Sequence, residues 1–348
     1  MWLLIGLSGI LSALAQALTL PLNNNALTLP AGNNAYSSDT YTTSDGGNTT
    51  TLLYQLPANL TSGGRPFPSG FTLQIEFGKS VLCTTAILVN FGNALADVAA
   101  ASSKDHVRST SWVVDSYSEV NIKLTVLDDK FARQLALMLL YHVPESMQKM
   151  KKWRSGRWTL LQGGIVLGRV EVNDGTTNRL SICDPPSGSM TTSKRSIVGD
   201  SSINITGTHD SSGNLTLTTI AGATSLGVND SIMRLTCKWR GKSLGYLTAL
   251  MSPLYIIAWE PLRDPDLYRI GSWDHRVTVE SWDVTLQFLG YRPISPDWNY
   301  YWIIKALGQL PLAYADKTPY WDFREITCDV NLNSAPVGLV RIVKGIQF

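Results

Sequence analysis

The stretch FTLQIEFGKSVLCTTAILVNFGNALADV, residues 71–98, decides the fold. Phe71, Leu73, Ile75 and Phe77 alternate with Thr72, Gln74 and Glu76, the period of a strand with one buried face. Gly78-Lys79-Ser80 turns the chain, and the period then changes. Thr84, Ile87, Leu88, Phe91, Ala94, Leu95 and Val98 fall on one face of a helix. Two strand-like runs follow, STSWVVD and SEVNIKLTVL, the second alternating at Val120, Ile122, Leu124 and Val126. Asp128 and Asp129 offer N-caps for a second helix in KFARQLALMLLYHV, which Pro144 ends or kinks. WTLLQGGIVLGRVEV closes the unit as two strands around Gly163-Gly164, a hairpin turn pair.

A second version of the order runs from Ile232 to Val343. IMRLTCKW is its first strand and Gly241-Lys242-Ser243 its turn. TALMSPLYIIAWEPL is the first helix, RVTVESWDVTLQFL the central strands and SPDWNYYWIIKALGQLPLAY the second helix. FREITCDVNLNSAPVGLVRIVKG is the closing pair. Val284, Leu286 and Phe288 match Val120, Ile122 and Leu124, and VGLVRIV echoes VLGRVEV. Strand-helix-strand-strand-helix-strand implies an α+β fold: two tandem ferredoxin-like (split βαβ) antiparallel sandwiches, related by internal duplication. Modules are assigned to residues 71–172 and 232–348. Residues 18–70 are a polar lead-in with a strand hint in TLLYQL. Residues 173–231 are a linker with a hairpin in INITGTHDSSGNLTLTTIAG.

Residues 1–17 read as a signal peptide: WLLIGLSGILSALA is apolar but too short to span a bilayer, and Ala13-Leu14-Ala15 offers a small-x-small cleavage pattern. No later run is long enough for a span. Glycosylation sequons at Asn48, Asn59, Asn204, Asn214 and Asn229 lie outside both modules. Four cysteines suit an oxidising compartment, and three pairings are open. One bridge per module, Cys83 with Cys183 and Cys237 with Cys328, is the favoured arrangement. Hydrophobic content of 44% with 16% charged residues excludes a disordered chain, and a net charge of +2 points to no class of partner. The cluster KMKKWRSGR, residues 149–157, reads as a solvated helix end rather than a nucleic-acid patch.

The chemical motifs reduce mostly to structure. Both Gly-Lys-Ser tripeptides lack the earlier glycine and long loop of a phosphate cradle, so Gly as turn and Ser as cap explains them. His106, His142, His209 and His275 form no metal-ligand spacing, and His142 reads as an interfacial residue. No G-x-S-x-G occurs. Asp115 with Glu119, and Glu280 with Asp283, are carboxylate pairs of the kind glycoside hydrolysis uses, but solvated strand-end carboxylates are commoner. Lys194-Arg195 is a dibasic pair in the linker, a site for a processing protease. In the last helix Ser295 caps and Pro296 takes the first position. Tyr300, Ile303, Ile304, Leu307 and Tyr314 make a core face. Trp298, Tyr301 and Trp302 fall on the opposite side with Lys305 and Gln309, a face that needs a partner. That partner is the other module or the lead-in. A sugar-stacking or protein-docking surface is the alternative.

WTLLQGGIVLGRVEV and REITCDVNLNSAPVGLVRIV, each following a helix, resemble a group of uncharacterised secreted proteins of filamentous fungi. The resemblance covers most of the chain after residue 70 and brings no activity and no functional residues with it. Two such units around a dibasic site are similar in architecture alone to the precursors of fungal killer toxins and effectors. The expectation is a secreted glycoprotein without a cofactor that binds a protein or glycan partner. A carbohydrate-active enzyme or glycan-binding module built on the second-module aromatics is the runner-up.

Overall fold

A computed structural model describes residues 27–29, 42–46, 49–55, 70–101, 106–175, 204–209, 215–220, 232–263, 274–279, 282–317 and 323–345. The elements in chain order are β1 (Leu27–Leu29), β2 (Thr42–Gly46), β3 (Thr49–Gln55), β4 (Phe71–Val81), α1 (Thr84–Ala100), β5 (Thr110–Trp112), β6 (Val120–Val126), α2 (Arg133–Lys149), β7 (Arg154–Gln162) and β8 (Ile165–Asp174). They continue with β9 (Asn204–His209), β10 (Leu215–Ile220), β11 (Ile232–Ser243), α3 (Tyr246–Arg263), β12 (Asp274–Val279), β13 (Val284–Gly290), α4 (Tyr300–Lys317), β14 (Arg324–Leu332) and β15 (Ala335–Lys344).

Two sheets form, in the orders β2-β3-β4-β7-β8-β6-β5 and β9-β10-β11-β14-β15-β13-β12-β1. Strands pair antiparallel throughout, apart from β1, which lies parallel to β12. The alternating residues of β4, β6, β8, β11, β13 and β15 turn their apolar side chains to the helices, where the core sits. Each sheet carries two helices on one face, and the helix pairs pack on each other, so the sheets lie outermost. The molecule is therefore α+β with two similar halves.

The sheet order departs from the split βαβ arrangement. There the opening strand lies inside the sheet beside the third strand; here β4 and β11 pair with β7 and β14, and the last strand of each half is central. The closing segment forms a tight hairpin, and its two strands wedge between the first and third strands. The halves also extend past the expected module boundaries. β2–β3 from the lead-in and β9–β10 from the linker are hairpins that add to the same edge of their respective sheets, while β1 joins the sheet of the second half.

The registers make the halves comparable residue by residue. In each, the first strand meets its neighbour with the same irregularity: Phe77 and Val81 face Gly156 and Arg154, and Trp239 and Ser243 face Ile326 and Arg324. Two extra residues are thus bulged at the same place. The Gly-Lys-Ser tripeptides lie in these bulges and are neither turns nor caps; α1 starts after Cys83 with no side-chain cap. They are also out of step by one residue, since Phe77 matches Trp239 and so Gly78 matches Arg240. A Cβ at Gly78 would meet Ser155 Oγ, whereas Gly241 has φ +94°, so the two glycines answer different constraints.

A second bulge recurs in the closing hairpins, at Leu167 and Val337, each followed by a glycine. Phe131 packs into the space over Gly168, and Trp298 into that over Gly338. Each aromatic stands two residues before its helix, and Pro144 of α2 then matches Pro311 of α4, both inside the helix. The two-residue turns are Gly163-Gly164 and Asn333-Ser334, all four with positive φ, as a type I′ hairpin turn requires.

Two caps differ from expectation. Asp128 Oδ1 accepts from Lys130 N, a local turn ahead of α2, which begins only at Arg133. Asn299, not Ser295, caps α4, its Oδ1 accepting from Trp302 N. Both stretches spend several residues before the helical hydrogen bonds begin.

Candidate functional site

The aromatic helix is buried all round: every residue from Tyr301 to Tyr314 lies out of solvent. A helix apolar on all sides belongs between two layers. Trp298 is 0% exposed and lies across Gly290 and Gly338 of its own sheet. Tyr301 and Trp302, 1% and 4% exposed, contact each other edge to face. The face carrying Tyr301 meets α1 of the first half. Lys305 Nζ stands 3.4 Å from Asp97 Oδ1 and over the Tyr301 ring. Trp112 Nε1 donates to the other Asp97 oxygen at 3.1 Å. Of the expected core face, Tyr300 is only partly buried, its ring edge against His275. The three candidate binding aromatics are thus packing residues and present no open stacking face.

The seam between α1 and α4 is a close approach. A Cβ on Gly308 would lie 2.3 Å from Ala96 Cβ and 2.9 Å from Gly92 O. Two glycines here let the helix backbones meet. By the register above, Tyr141 stands in α2 where α4 has Gly308, and Leu254 in α3 where α1 has Gly92. The α2–α3 seam is consequently filled by rings: Tyr141 contacts Tyr255 and Trp259.

Beside that seam lies a polar cluster of the first half, in which His142 is buried, Glu145 partly buried and Lys149 exposed. His142 Nδ1 is 2.6 Å from Glu145 Oε2, and Glu145 Oε1 is 3.6 Å from Lys149 Nζ. These residues line a small crevice with Leu73 and Ile75 of β4. Burial pushes the Glu145 carboxyl up, but His142 and Lys149 outweigh it and hold it below the ordinary carboxylate value. Ser146, one residue on, accepts from Trp158 Nε1 at 2.9 Å and donates to Val143 O at 2.7 Å. Its proton is directed at a helix carbonyl, so it is not posed as a nucleophile for His142. The matching positions of α4 are Gln309, Leu312, Ala313 and Asp316, so the frame itself does not need this cluster. Sequence reasoning named His142, read Lys149 only as part of a solvated helix end and missed Glu145, although the i, i+3 and i, i+7 spacings from His142 put all three on one face.

The remaining candidates scatter. His106 is exposed, and His275 stacks on Phe288. Asp115 opens a 3-10 turn, Glu119 precedes β6, and Asp283 is exposed in a turn with φ +50°. Glu280 lies outside the described residues, as do the leader, Asn48, Asn59, Asn214, Asn229 and Lys194-Arg195. Asn204 is the first residue of the edge strand β9. Among the described residues no three His, Cys, Asp or Glu side chains gather as metal ligands.

Cys237 and Cys328 face each other in register on β11 and β14 and are bonded. Ile75 and Trp158 hold the matching places in the first half. Cys83 is disulfide-bonded as well; Cys183, expected to pair with it, lies outside the described residues. No helix among the described residues is long and apolar enough to cross a membrane. Comparison with known proteins finds no match to a family, a curated protein or a solved structure.

Proposed function

We propose that the chain is a secreted glycoprotein that acts by binding, at a cell surface or host interface, and not by catalysis. The observation that carries this reading is the burial of Trp298, Tyr301 and Trp302, which leaves the glycan-enzyme alternative without its stacking platform. The in-register bond Cys237–Cys328 supports an oxidising compartment. The resemblance to fungal secreted proteins fits the same setting. Shared bulges, shared aromatic-over-glycine packing and shared helix prolines support descent of the two halves from one duplicated unit.

The test expresses the full chain with its own leader in a eukaryotic host. The medium is examined on non-reducing gels with and without endoglycosidase, then screened for turnover and retention on polysaccharides. Secreted, glycan-shifted protein without turnover is expected. Trp298→Ala and Trp302→Ala lower stability and leave glycan retention unchanged. Hydrolysis of a polysaccharide, or glycan retention lost with Trp302→Ala in a protein that still folds, would overturn the reading.

A further inference from the structure

One corner of the first half gathers a set of exposed cations. Arg154 opens β7 directly opposite Val81 of β4, so their side chains leave the sheet on the same side. Leu82 N donates to Trp153 O, which ties the segment 151–154 to the β4 bulge. Lys152 Nζ lies 5.7 Å above the Phe77 ring, and Lys79 sits within the bulge. Lys79, Lys151, Lys152 and Arg154 are all exposed, and none has an ion-pair partner among the described residues. In their midst Val81 is 73% exposed, the most exposed large hydrophobic among the described residues.

The second half supplies a baseline for what the frame alone requires. There Ser243 takes the place of Val81, Gly241 that of Lys79 and Asp316 that of Lys149. Arg324 keeps the position of Arg154, but Glu325 follows it where the first half has Ser155. Arg240 and Lys242 stand in that bulge where the first half has Gly78 and Ser80, so what sets the first half apart is Val81, exposed among its cations where the second half has Ser243. The bulge therefore does not need an apolar side chain at its end, and the solvated-helix-end account of residues 149–157 leaves Lys79 and Val81 unexplained.

We propose that this corner, Lys79, Val81, Lys151, Lys152 and Arg154, docks the protein on an anionic phospholipid surface. Long cationic stems around one exposed aliphatic side chain suit a headgroup layer, where the charges stay among phosphates and the valine enters the acyl boundary. A nucleic acid fits less well, because the neighbouring ring, Trp153, is partly buried against the core and offers no stacking face. The protein would lie on the bilayer and not span it.

The proposal names a partner for the binding reading and rests on it; turnover of a polysaccharide would sink that reading, while the vesicle result below decides this one. Full-length protein is co-sedimented with phosphatidylserine-containing vesicles and with neutral phosphatidylcholine vesicles. Binding to the first alone is expected, weakening as salt rises. Lys151→Ala with Lys152→Ala should lower the partition coefficient about thirtyfold, at about fivefold per cation. Val81→Ser, which copies the second half, should lower it severalfold without changing the salt dependence. All three positions are exposed, and circular dichroism verifies that each variant is folded. No binding to anionic vesicles overturns the proposal, as do unchanged binding by the double variant and retention on duplex DNA in place of vesicles.

Discussion

Gly290→Val introduces into the second half the residue that the first half carries at the matching place, Val126. A Cβ at Gly290 would lie 2.8 Å from Trp298 Cδ1 and 3.1 Å from its Nε1, well inside contact distance. Overpacking of this kind costs about 1–3 kcal/mol. Trp298→Phe, which copies Phe131, removes the obstructing ring but leaves a void, at about 1–2 kcal/mol. If Trp over two glycines and Phe over one glycine and one valine are two solutions to the same space, the double variant recovers most of both losses. The coupling should be about 1–3 kcal/mol in favour of the pair. Gly338→Ala is the control, because its Cβ also meets Leu289 O at 2.5 Å and Trp298→Phe cannot relieve a backbone clash. Urea unfolding followed by far-ultraviolet circular dichroism measures all four proteins without relying on the altered tryptophan. Additive losses, within about 0.5 kcal/mol, would refute the idea that the two aromatic plugs are equivalent.

Replacing both Cys237 and Cys328 by alanine opens a bridge separated by 91 residues, and the loop-entropy account puts the loss at about 4–5 kcal/mol; a midpoint in urea unchanged from that of the oxidised protein would contradict it. Glu145→Gln tests the polar cluster through pH. The Glu145 pKa is depressed in the folded state, so its contribution is present above the ordinary value of 4.5 and is lost as pH falls through the depressed folded value. The variant should therefore be less stable at neutral pH by about 1–3 kcal/mol, with the gap to wild type closing below about pH 4.5 in thermal melts; a gap constant down to pH 2 would show that the carboxylate charge is not what stabilises the helix.

Much of each half was legible locally. The alternation in FTLQIEF, the helical stripe after it, the Gly163-Gly164 turn and the match of Val120, Ile122 and Leu124 to Val284, Leu286 and Phe288 all follow from side-chain period and turn chemistry. The hairpins β2–β3 and β9–β10 were harder to place. TTSDG, TTTLLYQ, NITGTH and LTLTTI are rich in Thr and Asn and do not show which neighbour they pair with. The Lys305–Asp97 pair joins residues 208 apart, a distance over which no pattern in the chain reports. Of the polar cluster, His142 stood out by its rarity, whereas Glu145 looked like a surface residue until the fold drew it beside His142, and Lys149 is exposed.

Sequence by itself determined what is set by near neighbours along the chain: which segments are strands or helices, that the order of elements repeats, and where the tight turns fall. Tertiary structure decided what depends on distant segments meeting. The wedge of the closing hairpin between first and third strands replaced the expected sheet order, since strand register is chosen by pairing partners far apart in sequence. Gly-Lys-Ser, read as a turn from its letters, became a bulge because the partner strand is two residues shorter at that point. The side of α4 bearing Tyr301 looked like a waiting surface only until α1 was laid against it. Whether a side chain is exposed is a property of its neighbours in space, and Gly92 and Gly308 bring those neighbours close enough to cover it.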